Sequence, residues 1–208
     1  MQGFLIEHAW IITILWGIVY LADYYLTIYG ARLFREILGP HIQTGGSYEL
    51  TPVFRKDVDN LRLFSPAFAW RLIFSMAMFP VIYWISYSLL GTGWPFLFLA
   101  GGFFLRSVPI LLRHMRNIGM ALSAREPGSI QGAVTYSLKL NLRLSAVELW
   151  GFAAFYLITA VVLNSAFFYG GAVICAITGL QHWSYARKQS PAQANAATGD
   201  RIEPMTGA

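Results

Sequence analysis

The sequence predicts an all-α, polytopic integral membrane helix bundle of about five transmembrane helices, and three observations lead there. Of the 208 residues, 56% are hydrophobic and 12% are charged, whereas soluble domains carry roughly 25% charged residues. Five separate stretches have the roughly 20 mainly apolar residues needed to cross about 30 Å of hydrocarbon. A single threading of those stretches places all 15 Lys and Arg residues on one side of the bilayer.

The five expected spans cover about 9–30, 67–90, 94–112, 147–163 and 166–186. Residues 1–8 hold no basic stretch and no small-residue cleavage site, so the first span is expected to stay in place. Gly91-Thr92-Gly93 separates the second span from the third, and Asn164-Ser165 the fourth from the fifth. Turns this short predict two antiparallel helical hairpins, expected to be the firmest helix contacts.

Orientation follows from the cations, because loops rich in Lys and Arg stay in the cytoplasm. Arg32, Arg35, Arg55, Lys56 and Arg62 lie between the first two spans. Arg113, Arg116, Arg125, Lys139 and Arg143 lie between the third and fourth. Arg187, Lys188 and Arg201 follow the fifth. The predicted arrangement is N-terminus outside and C-terminus inside, in a multi-pass protein of a prokaryotic cytoplasmic membrane. The whole of 1–188 forms one transmembrane domain, with cytoplasmic segments 31–66 and 113–146. Net charge is +5, and its position beside the spans points to anionic lipid as partner rather than nucleic acid.

Residues 31–38 should prolong the first helix until Gly39-Pro40 stops it, followed by loop through residue 50 with a turn at Gly45-Gly46. Thr51-Pro52 reads as an N-cap and first helical position. Phe54, Val58 and Leu61 would then line one face of an amphipathic helix on the inner leaflet. Ser129 is a candidate N-cap in the second cytoplasmic segment. Apolar and polar residues alternate through 134–144, a strand signature. No partner strand presents itself, and the stretch runs without a breaker into the fourth span, so a continuous helix is expected. The tail, 189–208, has the composition of a disordered segment.

Ionisable groups within hydrocarbon are costly and mark functional sites by default. Asp23, Arg71, Arg106 and Glu148 fall at similar depth in the inner half of the bundle, with Tyr24 and Thr27 available to complete hydrogen bonding. One reading pairs Asp23 with Arg106 or Arg71, and Glu148 with another arginine, as staples between helices. The other is a cytoplasm-facing polar cavity that binds an anionic head group, an ion or a proton. The adjacent Glu7 and His8 read as a solvated helix start, and His41, His114 and His182 as isolated, the last in an interfacial belt with Trp183 and Tyr185. Asp57-Val58-Asp59 has the outline of a metal motif but reads as a solvated face. No catalytic set, metal site or cofactor motif emerges, and Cys175 reads as a small apolar packing residue.

Gly101-Gly102 in the third span and Gly170-Gly171, Ala172, Ala176 and Gly179 in the fifth permit close helix approach, within the chain or toward a partner or second copy. Pro80 and Pro109 lie inside spans and should kink them or end a turn. Three function classes follow. A binding or accessory subunit of a membrane complex is expected first, then a small transporter or channel using the charged layer, then a lipid-modifying enzyme.

Overall fold

A computed structural model describes residues 7–45 and 48–189; the tail expected to be disordered lies outside them from residue 190. The described chain is mainly helical. Helix α1 spans Ala9–Leu33 and continues as a π-turn over Phe34–Leu38. Strand β1 is Ile42–Gly45, and the short helix α2 is Arg55–Asp59. Helix α3 is Pro66–Trp84, with a π-turn over Ile85–Leu89. Helix α4 is Trp94–Ser123, β2 is Val134–Ser137, α5 is Leu138–Leu163 and α6 is Ala166–Lys188.

Four of these helices are long and apolar enough to cross a membrane: α1 and α3 with their π-turns, α4 and α5. Helix α6 has 23 residues, enough at 1.5 Å per residue, but carries Thr178, Gln181, His182 and Ser184 and stays below that apolarity. The helices turn large apolar side chains outward, among them Ile158 at 65% and Val162 at 75% exposure. Water would penalise a belt of this kind, and lipid would not.

The packing departs from two equal hairpins. Helices α5 and α6 form the most extensive seam, as their two-residue turn demands, with Asn164 in the left-handed region (φ 45°) ending α5. The α3–α4 hairpin is splayed: α4 packs instead along α6 and α1. Glycine is the reason. A Cβ on Gly101 would sit 1.7 Å from the Phe167 carbonyl oxygen, and one on Gly170 would sit 1.8 Å from that of Phe98. Backbone therefore meets backbone, with α4 and α6 running in parallel, and Gly102 and Gly171 extend the seam against Ile174 and Leu105. Gly179 is filled by Trp150. The glycines expected to serve either the monomer or a partner are thus all used within the chain. Cys175 is fully buried in the α5–α6 core, beside Leu149 and Tyr156.

Several local expectations change. Helix α4 runs on past residue 112 to Ser123. The loop expected after Gly39-Pro40 contains β1, which pairs in parallel with β2, Ile42 opposite Val134 and Gly45 opposite Ser137. The alternating stretch is therefore strand over its first four residues and helix afterwards. The turn into helix is made by Ser137, not Ser129: its Oγ accepts the Leu140 N–H at 3.2 Å. Thr51 does not cap α2, which starts four residues later; its N–H donates to Glu49 Oε1 at 2.7 Å. Val58, with Phe54 and Leu61, turns into the bundle against Tyr24, Ile28 and Phe68, so this apolar face is already covered by protein. Asp57 is buried rather than solvated. It accepts from Ser65 Oγ at 2.5 Å, and Ser65 in turn caps α3 through the Phe68 N–H.

Candidate functional site

Splaying α3 from α4 opens a cleft of about 390 Å³ at the end of the bundle that carries the long connections. Helix α1 contributes Asp23 and Thr27, α3 Arg71 and Phe74, α4 Arg106 and His114, α5 Ser145, and α6 Thr178 and His182. The loop before α2 closes one side with Tyr48 and Glu49. Four of the five residues expected in the charged layer, Asp23, Thr27, Arg71 and Arg106, line this one cleft. Glu148 does not line it; it holds Arg113, which does.

The ion pairing meets one expected staple, Glu148 with an arginine, and not the other. Asp23 pairs with neither arginine: its Oδ1 lies 3.0 Å from His114 Nε2, and Thr27 Oγ1 lies 3.0 Å from the same nitrogen. The Thr27 hydroxyl donates to the Asp23 carbonyl at 2.8 Å, so its oxygen and the carboxylate both accept, and Nε2 carries the proton. His114 is buried, and its Nδ1 has no partner among the described residues. On the other side, Arg113 sends Nε and Nη2 to Glu148 Oε2 at 2.9 and 2.5 Å.

Arg71 and Arg106 remain. Arg71 stacks over the Phe54 ring at 5.3 Å, an attraction that leaves its edge donors available. Among the described residues Arg106 donates only its Nε, to Thr178 Oγ1 at 3.2 Å. Neither forms an ion pair among the described residues.

Glu49 is held in the loop against this cleft. Burial, the largest influence, pushes its carboxyl above the ordinary value of 4.5, Asp23 adds to the rise, and the Thr51 N–H and His114 oppose it. A raised folded-state pKa contributes stability below the unfolded value that is lost as pH rises through the folded one. Glu49→Gln should therefore gain on the native protein as pH climbs above about 4.5, read as a difference in melting temperature that widens with pH.

Sequence reasoning missed His114, Arg113 and Asn117 because it ended the third span at residue 112. The signal was present: residues 106, 110, 113, 114 and 117 recur at the spacing of one helix face. His182 faces the cleft rather than an interfacial belt, with Nδ1 2.8 Å from Ser145 Oγ. This is a hydroxyl–imidazole pair of the kind a nucleophile needs, but no acid orients His182 among the described residues, and the bond ties α5 to α6. His41 is likewise engaged, donating from Nδ1 to the Gly132 carbonyl at 3.1 Å beside the strand pair. Among the described residues, no three His, Cys, Asp or Glu side chains converge as a metal site requires.

Nothing matches this chain among protein-family models, curated proteins or solved structures. Function is accordingly argued from the cleft itself.

Proposed function

We propose that this is a five-span, N-out protein of the cytoplasmic membrane that binds an anionic ligand in a cleft open toward the cytoplasm. One observation carries the reading: Arg71 and Arg106, on separate helices, face a common cavity, and neither forms an ion pair among the described residues. A guanidinium inside a membrane protein is costly unless paired, and a planar fork of donors is suited to carboxylate or phosphate oxygens. Of the acids nearby, Asp23 hydrogen-bonds His114, Glu148 pairs with Arg113, and Glu49 accepts from the Thr51 N–H.

The threading is supported by the cations, which gather with the strand pair and α2 at one end. It is supported too by the tight α5–α6 turn, which returns the chain once α5 has crossed. Beside α2, Leu63 and Phe64 are 68% and 71% exposed next to Arg55, Lys56 and Arg62, a pattern suited to the inner leaflet. This anionic-ligand reading sits closest to the transporter class and to the binding side of the binding-or-accessory class. The accessory-subunit class loses the glycine faces that favoured it.

The test is a titration of purified protein with short-chain phosphatidic acid and with glycerol 3-phosphate, read by thermal shift. The native protein should be stabilised by at least one of them, and Arg71→Gln or Arg106→Gln should weaken that binding by roughly ten- to hundredfold, the cost of a lost charged hydrogen bond. Equal response of native protein and both variants would contradict the assignment.

A further inference from the structure

We infer that the ligand is a membrane lipid with a phosphate head, which reaches the two arginines sideways through the gap between α3 and the α5–α6 pair. The inference rests on the anion-binding reading above and adds the ligand's class and its route. Both walls of the gap line the cleft, with Arg71, Phe74 and Met78 on α3 and Ser145, Thr178 and His182 on α5–α6, yet no extended seam joins them. A cleft so bounded opens on the side where lipid lies.

Its lining changes character with depth. On α3, Phe74 and Met78 follow Arg71 by one and two turns; on the oppositely directed α4, Phe103 precedes Arg106 by one turn. The two helices thus place their arginines toward the connection-bearing end and their apolar side chains toward the bilayer interior. That order is the order of a lipid molecule, head at the interface and chains inward. Phe74 is 58% exposed, so the apolar end is a mouth rather than a sealed pocket.

Charge and size agree. A phosphomonoester carries roughly −1.5 to −2 at neutral pH, a charge suited to two guanidiniums that have no ion pair among the described residues. A volume near 390 Å³ is that of a site for an organic ligand, which spans roughly 300–1,000 Å³, and far exceeds what a bare ion fills. Glu49 also lines the cleft, and burial, which pushes its carboxyl above the ordinary value, favours its neutral form.

The experiment reconstitutes the full chain in phosphatidylcholine nanodiscs doped with phosphatidic acid, releases it into mild detergent and counts retained lipid by native mass spectrometry. The native protein should keep one phosphatidic acid in preference to phosphatidylcholine, and glycerol 3-phosphate should not displace it. Arg71→Gln and Arg106→Gln should lower occupancy by roughly tenfold or more. Met78→Trp, which fills the apolar mouth, should lower lipid retention; because that variant depends on folding, native protein is also compared with glycerol 3-phosphate alone. If glycerol 3-phosphate binds as tightly as phosphatidic acid, and through the same arginines, the lipid assignment is overturned while the anion site stands. If neither phosphate binds in an arginine-dependent way, both are overturned.

Discussion

Alanine at position 170 is expected to cost more than about 3 kcal/mol of stability, beyond the usual range for overpacking. The added carbon would lie 1.8 Å from the Phe98 carbonyl oxygen and 2.9 Å from the Gly102 nitrogen. Both obstacles are backbone, so no side chain can swing away. Helices α4 and α6 would have to separate along their length, with loss of the dispersion contacts that hold membrane helices together. Gly101→Ala should behave alike, because it meets the Phe167 carbonyl from the other side. Gly151, with nothing near its missing Cβ, provides the control: Gly151→Ala should keep the native melting temperature or raise it, since alanine is the better helix former. Thermal unfolding in detergent compares the three variants directly.

Removing Glu148 is the second large effect. Glu148→Ala leaves Arg113, only 18% exposed, with its strongest acceptor gone. Breaking a buried pair from one side costs about 3–5 kcal/mol, and the partial exposure here brings the expectation down to about 2–3 kcal/mol. Removing both charges, as Arg113→Met with Glu148→Met, should recover most of that loss, because the penalty lies in the orphaned charge. A double variant no more stable than Glu148→Ala alone would show that the pair does something other than balance charge. Chemical or thermal unfolding of the single and double variants measures it.

Much of the architecture was legible because hydrocarbon imposes a simple rule on a sequence. A span must be apolar for about 20 residues, and the five stretches read by this rule all fall on helices, α1, α3, α4, α5 and the less apolar α6. The Asn164-Ser165 hairpin was legible for the same reason: two residues leave no room for anything but a return. Asp23, Thr27, Arg71 and Arg106 were legible as a group because polar groups in such segments stand out against their background.

What escaped notice was whatever depends on partners distant in sequence. Val134–Ser137 shows its alternation locally, but its partner Ile42–Gly45 lies some ninety residues earlier and is too short to declare itself. The splaying of α3 from α4 is decided by Gly101 and Gly170, whose mutual contact no local pattern reveals. The cleft exists because of that splaying, so its shape was illegible even where its residues were not. His114 was hidden differently. The hydropathy that ends a span at residue 112 says nothing about where the helix ends, and α4 continues eleven residues further to place His114 against Asp23.

The question at the centre is what neutralises Arg71 and Arg106, and a high-resolution structure of the protein purified with native lipid answers it most directly. Non-protein density bridging the two guanidiniums, with Asp23 still on His114, is the expected result. A closed cleft in which either arginine has turned onto Asp23 or Glu49, with no density between them, would mean that the protein balances its own charge and holds no anion there.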